Sequence, residues 1–188
     1  MYKRQVQEVL AEDVGRGDLY ALVSKAVPAS ARIIAKSPGL FSGQVYADAL
    51  AELEGFEIIW HKNDGDTFEK GDLIAQIKGS SHILLRIERT LLNMVLHASS
   101  ISSYTNAFVQ LLSPYGTKLL DTRKTRPKLR IFEKYATRVG GAVNHRLGLD
   151  DCLMLKDTHL KTIEDIGAFV KEARKKIPFT SMIEIEAE

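Results

Sequence analysis

Five basic side chains stand within twelve residues of the chain, in the stretch "LLDTRKTRPKLR" at 119–130. The only acid in this stretch is Asp121, and the basic residues are Arg123, Lys124, Arg126, Lys128 and Arg130. Residues 118–161 hold eleven Lys and Arg against five Asp and Glu, although the whole chain has a net charge of only +2. Positive charge concentrated in one region predicts a localised anion site and argues against a generally basic surface.

These five residues do not all have the same prospects. Arg123 and Lys124 directly follow "KLLDT", which has the composition of a buried strand, so they stand at a strand end. The other three, including Arg130, lie on or near a helix that Pro127 is expected to open. Basic residues at such positions are usually solvated. Arg123 and Lys124 are therefore the stronger candidates for anion contacts.

Polar residues also follow two later predicted strands. The strand "CLMLK" ends in Lys156, and Asp157 and His159 come directly after it. The strand in "TSMIEIEAE" carries Glu184 and Glu186, which share one face because side chains alternate along a strand. Active sites of (β/α) barrels lie at the carboxyl ends of the strands. We therefore expect these groups to meet at one edge.

The segment "GGAVNHRLG" lies between the first two of these strands and adds His145 and Arg146. Cations held together are costly unless a counter-charge is present. Arginine pairs well with planar carboxylates, and lysine serves as a point charge for phosphate. Taken one at a time, a structural histidine, a solvent-reaching Lys156 or an edge-strand glutamate would be unremarkable. Their joint placement predicts a polyanionic ligand, with a divalent cation bridging it to a glutamate.

The elements around these residues predict an α/β fold in two parts. Residues 116–188 alternate strands with helices, which indicates a parallel sheet or the first part of a (β/α) barrel. Residues 1–115 combine short strands with helices and end in a long helix from about residue 81 to residue 113. The chain stops on a strand, whereas a complete barrel usually needs about 250 residues. We therefore expect a piece of a longer protein, or a truncated gene product.

The long helix has one apolar face. The residues that recur at steps of three and four are Leu84, Ile87, Leu91, Met94, Ala98, Ile101, Thr105, Phe108 and Leu112. Arg89 lies about 200° around the helix from Ile87, at about 100° per residue. It is therefore expected to point away from the packed face, towards solvent or another subunit.

Other classes of protein are disfavoured. One cysteine, Cys152, fits a reducing cytoplasm, and no apolar run approaches the roughly 20 residues that span a bilayer. Nucleic-acid binding would predict aromatic residues among the basic ones, but Phe132 and Tyr135 both fall on the apolar face of their helix. "NDGDTFEKGDLIAQIKG" resembles half of a biotinyl or lipoyl carrier domain, but such domains commonly carry a modifiable Met-Lys, which is absent.

Several motifs together resemble the quinolinate phosphoribosyltransferase family. "DTRKT", "NHRLGL" and "KDTH" occur in that order, preceded by "EDVGRGDL", "FSG" and "ERTLLN". The resemblance covers essentially the whole chain. It implies an N-terminal α/β sandwich domain (1–115, including the long helix) and a (β/α) TIM-like barrel, of which 116–188 is the incomplete first part. Because the family's second acidic metal contact and its phosphate loops lie in the missing part, this chain alone is expected to have little or no activity. One departure is Lys128, where glycine is common in the family.

The resemblance also implies a reaction. Quinolinate and 5-phosphoribosyl 1-pyrophosphate (PRPP) would give nicotinate mononucleotide, pyrophosphate and CO2, with Mg2+ required, in de novo NAD synthesis. The enzyme would be a cytoplasmic homodimer, possibly a higher oligomer, with shared active sites and no nucleic-acid or membrane partner. The alternative is a related phosphoribosyltransferase for nicotinate, or a molybdenum-associated homologue.

The roles implied by the resemblance fall on matching positions of this sequence. Residues that hold the quinolinate carboxylates match Thr122, Arg123, His145 and Arg146. Lysines that contact PRPP and substrate, with a catalytic role, match Lys124 and Lys156. A catalytic carboxylate at the magnesium–PRPP end matches Glu186. An arginine that reaches into the neighbouring subunit's site matches Arg89.

Overall fold

The computed structural model of the chain describes residues 2–187. It divides into two compact units. The first unit consists of two segments, the chain up to Asp121 and Phe132–Val143. The second unit also consists of two segments, Thr122–Ile131 and the chain from Asn144 onwards. Because helices and strands are mixed throughout, the predicted α/β class is confirmed. The predicted division after residue 115 stays a prediction, as does the barrel.

The first unit combines a small antiparallel sheet with helices. The sheet has the strand order β1-β5-β3, and β2 pairs with β4 in a separate two-stranded sheet. Its strands are β1 (Pro28–Ile34), β2 (Gly39–Leu40), β3 (Glu57–Trp60), β4 (Thr67–Phe68) and β5 (Leu73–Ser80). Its helices up to residue 112 are α1 (Tyr2–Val14), α2 (Leu19–Val23), α3 (Gln44–Glu54) and α4 (Ser81–Leu112). A short 3-10 helix, Ser113–Tyr115, ends the long helix.

The core of this unit lies where α1, α3 and α4 pack against one another and against the sheet. Val6, Leu50, Ile87 and Ala98 are completely buried there. The face of α4 predicted from its periodicity is the buried face, except that Phe108 at its C-terminal end is exposed. Burying a valine, leucine or isoleucine side chain contributes about 1.5–3 kcal/mol, so the long helix is held mainly by its packed face.

A polar junction fixes the turn that contains "FSG". The Asp64 Oδ1 atom accepts hydrogen bonds from the backbone N–H groups of Gly43 (3.0 Å) and Gln44 (3.1 Å) at the start of α3. The Tyr135 hydroxyl donates to Asp64 Oδ2 and accepts from the Gly43 N–H at 3.1 Å. Gly43 has a φ of 117°, which only glycine adopts without strain. The junction thus ties α3 to helix α5 (Arg130–Val139), which carries Tyr135.

The second unit is built on two parallel strands. Strand β6 (Cys152–Leu155) pairs with β7 (Met182–Ile185), so that Leu155 lies opposite Ile185. Between the strands come α6 (Asp157–Leu160) and α7 (Ile166–Lys176). The Asp165 side chain accepts a hydrogen bond from the Ala168 N–H at 2.9 Å and so caps α7. This is the strand–helix–strand pattern predicted for this region, and the parallel pairing is the arrangement expected of it.

Helix α5 (Arg130–Val139) begins three residues later than predicted. Proline at 127 was expected to open it, but Lys128 has a φ of 63° and interrupts the helical backbone. Among residues 2–187 Lys128 is the only non-glycine residue with a positive φ. A non-glycine residue in this conformation costs roughly 1–2 kcal/mol.

Two further predictions about elements were wrong in detail. The strand predicted for "KLLDT" is reduced to a single parallel bridge between Leu120 and Val143, and Leu120 is half exposed. The helix predicted for 161–176 begins only at Ile166, after the separate short helix α6.

No helix within residues 2–187 is long and apolar enough to cross a membrane.

Candidate active site

Seven of the eight predicted site residues belong to the second unit. Two loops and two strand ends carry them. We call residues 122–129 the first loop, which holds Thr122, Arg123 and Lys124. Residues 144–151 are the second loop, which holds His145 and Arg146. Lys156 directly follows β6, and Glu186 directly follows β7.

The ends of β6 and β7 place a lysine beside a glutamate. Leu155 and Ile185 are opposite each other in parallel strands, and the Glu186 N–H donates to the Leu155 carbonyl at 2.9 Å. Lys156 and Glu186 are therefore neighbours at the carboxyl edge of the sheet. Lys156 is half-buried and Glu186 is exposed. Both side chains remain accessible to a ligand at this edge.

The imidazole of His145 is held by a carboxylate. Its Nε2 atom lies 2.6 Å from Glu184 Oε2, in a half-buried position. Since a carboxylate accepts, the proton of this bond is on Nε2, which fixes the tautomer and the orientation of the ring. Glu184 lies on β7 and Glu186 directly follows its end, so one segment supplies both the group that orients His145 and the exposed carboxylate.

Arg146 is buried and is oriented by the backbone. It is 8% exposed, and its Nη1 donates to the Cys152 carbonyl at 2.9 Å. The Leu147 N–H donates to Asp151 Oδ2 at 2.9 Å and closes the second loop on itself. A carbonyl orients the guanidinium without neutralising it, so Arg146 keeps its full charge for an anion.

Arg123 is half-buried in the first loop, and its Nε is buried without a hydrogen-bond partner among residues 2–187. A buried donor that lacks an acceptor costs about 1–3 kcal/mol. An incoming carboxylate or phosphate would remove that cost. Next to it, the Thr122 Oγ1 accepts from the Lys124 N–H at 3.0 Å, a local turn that leaves the Lys124 side chain exposed.

The eighth predicted residue, Arg89, lies in the first unit. It is on the exposed side of α4, as its position relative to Ile87 predicted. Leu85 and Leu96 lie on the same side of the helix and are 52% and 68% exposed. Arg89 is therefore flanked by uncovered apolar side chains.

Some polar residues at the predicted strand ends have structural roles. Asp121 forms a buried ion pair with Lys134 and accepts from the Thr137 hydroxyl at 3.2 Å, all within the first unit. The His159 Nδ1 accepts from the Lys156 N–H at 3.1 Å and caps α6.

Arg130, expected to be solvated, is half-buried and hydrogen-bonded to both loops. Nothing in the spacing of Arg130 distinguishes it from Arg126.

No group of three or more His, Cys, Asp or Glu side chains within residues 2–187 could hold a metal ion. Magnesium commonly needs no such group, because it is bound through one or two carboxylates together with substrate phosphates. The exposed carboxylate of Glu186 at the sheet edge fits that mode of binding.

Comparison with known proteins gives two family matches. The model of the quinolinate phosphoribosyl transferase N-terminal domain matches residues 18–99, and that of the C-terminal domain matches residues 101–188. The chain is 39% identical to the probable nicotinate-nucleotide pyrophosphorylase [carboxylating] of Bacillus subtilis, over 99% of this chain and 65% of that protein. It is 38% identical to the protein of the same name from Synechocystis, over 96% of this chain and 62% of that protein.

A solved structure agrees with these matches. The crystal structure of NadC from Streptococcus pyogenes superimposes with a TM-score of 0.90 at 37% identity. The match covers 98% of this chain and 68% of that one. The chain spans slightly less than two thirds of the length of the two curated relatives, from Bacillus subtilis and Synechocystis.

Proposed function

The chain belongs to the quinolinate phosphoribosyl transferase family, and on that premise we propose that its full-length protein transfers the phosphoribosyl group of PRPP to quinolinate. The products would be nicotinate mononucleotide, pyrophosphate and CO2, which places the reaction in NAD synthesis. The names of the relatives from Bacillus subtilis and Synechocystis support this assignment.

The observation that carries the proposal is the buried Nε atom of Arg123, which has no hydrogen-bond partner among residues 2–187. This atom needs an acceptor, and the two carboxylates of quinolinate are suitable acceptors. The buried Arg146 belongs to the same unit and adds a second positive group, and His145, oriented by Glu184, also lies in this unit. A substrate with only one carboxylate, such as nicotinate, would leave one of these groups without its partner, at a cost of roughly 1–3 kcal/mol.

The proposed roles divide between the two substrates. Thr122, Arg123, His145 and Arg146 would hold quinolinate so that its ring nitrogen faces C1 of PRPP. As the nitrogen forms a bond to C1, the bond from C1 to the pyrophosphate oxygen breaks. Lys124 and Lys156 would stabilise the departing negative charge.

Decarboxylation would follow on the alkylated ring. The bond between C2 and its carboxylate breaks, CO2 leaves, and the electron pair stays on C2 beside the positively charged nitrogen until C2 takes up a proton. Glu186 would bind Mg2+ together with the phosphates of PRPP, and the metal would supply charge neutralisation at the leaving group. No covalent bond to the protein is required.

We also propose that the protein is a homodimer with shared active sites. The support is Arg89, which stands between the exposed side chains of Leu85 and Leu96 on α4, because a second copy could cover these apolar groups while receiving the arginine. Sedimentation velocity of the full-length protein would test this state, and a monomer at micromolar concentration would contradict it. A cytoplasmic location without a nucleic-acid partner completes the proposal.

Calorimetry on the full-length protein tests the substrate. We expect quinolinate to bind more tightly than nicotinate. Arg123→Ala should raise the quinolinate dissociation constant at least about tenfold, equivalent to about 1.4 kcal/mol. Arg138→Ala, which removes an exposed arginine from α5, is the matched control and should change it by less than about twofold. Equal affinity for nicotinate and quinolinate would favour the alternative phosphoribosyltransferase.

A further inference from the structure

Arg130 occupies an unfavourable position for a surface arginine. It is the first residue of α5, where the positive end of the helix dipole opposes a cationic side chain. Its side chain is half-buried, and it bends away from its own helix to bond elsewhere. The arginine is therefore held by what it contacts, because its position in the helix does not favour it.

The contacts of Arg130 join two separate loops. Its Nε donates to the Thr125 hydroxyl oxygen at 3.3 Å in the first loop. Its Nη1 donates to the Leu147 carbonyl at 3.1 Å in the second loop. Since Nε and Nη1 belong to one rigid planar group, the two bonds fix the separation of the loops as well as each loop alone.

The residues held in this way are next to the proposed quinolinate ligands. Thr125 is two residues from Arg123, and Leu147 directly follows Arg146. Three further bonds hold the second loop: Arg146 donates to the Cys152 carbonyl of β6, the Leu147 N–H donates to Asp151, and His145 bonds Glu184 of β7. They do not set its distance from the first loop.

We infer that Arg130 is a positioning residue that clamps the two loops at the spacing required for both quinolinate carboxylates. This inference rests on the proposed function. Arg130 does not touch the substrate in this scheme. It acts through the loops that carry Arg123 on one side and His145 and Arg146 on the other. Its neutral acceptors leave the positive charge of the site undiminished.

Arg130→Met, made in the full-length protein, tests the inference. The methionine keeps much of the apolar stem but donates no hydrogen bond. We expect the quinolinate Kd and KM to rise about five- to tenfold, as for the loss of one or two hydrogen bonds, while the KM for PRPP stays within about twofold. Arg130→Lys keeps the charge but cannot make both bonds in the same plane, so its effect should be intermediate.

Amide hydrogen exchange gives a second readout that needs no substrate. In Arg130→Met, exchange should become faster in both loops (residues 122–129 and 144–151), and remain unchanged in α4. The control is Arg138→Met, which removes an exposed arginine from the same helix and should leave exchange in both loops as in the unmodified protein.

The outcomes are distinct. Unchanged quinolinate affinity in Arg130→Met would overturn the inference, and so would an equal loss of affinity for both substrates with a general loss of stability. If the unmodified protein binds PRPP but not quinolinate, the proposed function fails. The exchange comparison then decides the inference alone: faster exchange in both loops supports the clamp, and unchanged exchange refutes it.

Discussion

Removing one member of the buried ion pair between Lys134 and Asp121 should strongly destabilise the first unit. The Lys134 side chain is 2% exposed and that of Asp121 is 6% exposed, so both charges are removed from water. Lys134→Met would keep much of the apolar stem in place but would remove the cation from beside a buried carboxylate. Breaking such a pair on one side costs about 3–5 kcal/mol.

That cost can be measured by urea unfolding monitored by far-UV circular dichroism, with thermal unfolding alongside. For a chain of this length, 1 kcal/mol corresponds to a shift of about 2–4 °C in Tm, so the expected decrease is roughly 6–20 °C. The exposed pair between Lys175 and Glu172 provides the control. Lys175→Met should change the free energy of unfolding by less than about 0.5 kcal/mol.

The double variant Lys134→Met/Asp121→Val separates the charge effect from a packing effect. Replacing both members of a buried ion pair by apolar groups is often close to neutral. We therefore expect the double variant to be more stable than Lys134→Met alone. The buried charge is not the cause of the destabilisation in either of two cases. One is a loss of less than about 1 kcal/mol of unfolding free energy in Lys134→Met. The other is a loss in the double variant equal to the sum of the losses in Lys134→Met and Asp121→Val.

Two further predictions concern the packing of α5. Burial raises the pKa of Tyr46 and Tyr135 above the usual value of about 10, and the hydrogen bond to Asp64 adds to the effect at Tyr135. The folded state therefore retains phenolic protons that the unfolded state loses, and the free energy of unfolding should fall above about pH 10 by about 1.4 kcal/mol per pH unit for each tyrosine. Urea unfolding at several alkaline pH values should show about half that slope in Tyr135→Phe, and an unchanged slope would contradict this reasoning. Gly140→Ala should lower the free energy of unfolding by about 1–3 kcal/mol in the same assay, because a Cβ atom there would lie 2.6 Å from the Ser102 carbonyl oxygen. A change within about 0.5 kcal/mol would show that α4 and α5 can move apart without cost.

Periodic patterns in the sequence predicted the main elements well. The buried face of α4 followed from residues such as Ile87 and Leu91, because a helix of 32 residues averages out local irregularities. The strands β6 and β7 followed from their apolar runs. The family resemblance is confirmed by matches over most of the chain.

Backbone conformation around the first loop could not be predicted in the same way. Proline at 127 and the apolar spacing beyond it indicate a helix, but whether the intervening Lys128 adopts a left-handed conformation depends on contacts that the pattern does not encode. The late start of α5 matters, because it places Arg130 at the first helical position, where its side chain reaches the two loops.

Partners of charged side chains were also beyond the sequence. Asp121 and Glu184 are both acids at predicted strand ends, but one pairs with a buried lysine and the other with His145. The choice is set by long-range packing, with partners 13 and 39 residues away along the chain. Spacing alone therefore could not show which carboxylate is structural and which lies within the proposed site.

The acceptors chosen by the basic residues distinguish structural cations from binding ones. Lys134 is neutralised by a buried carboxylate, which is the arrangement that stability requires of an enclosed charge. Arg146 instead donates to the Cys152 carbonyl, and Arg123 leaves a buried N–H unpaired. Neutral acceptors hold a guanidinium in place but leave its charge uncompensated. Binding of an anion therefore stabilises the second unit. This stabilisation, which is present only in the complex, favours the binding of a doubly charged substrate.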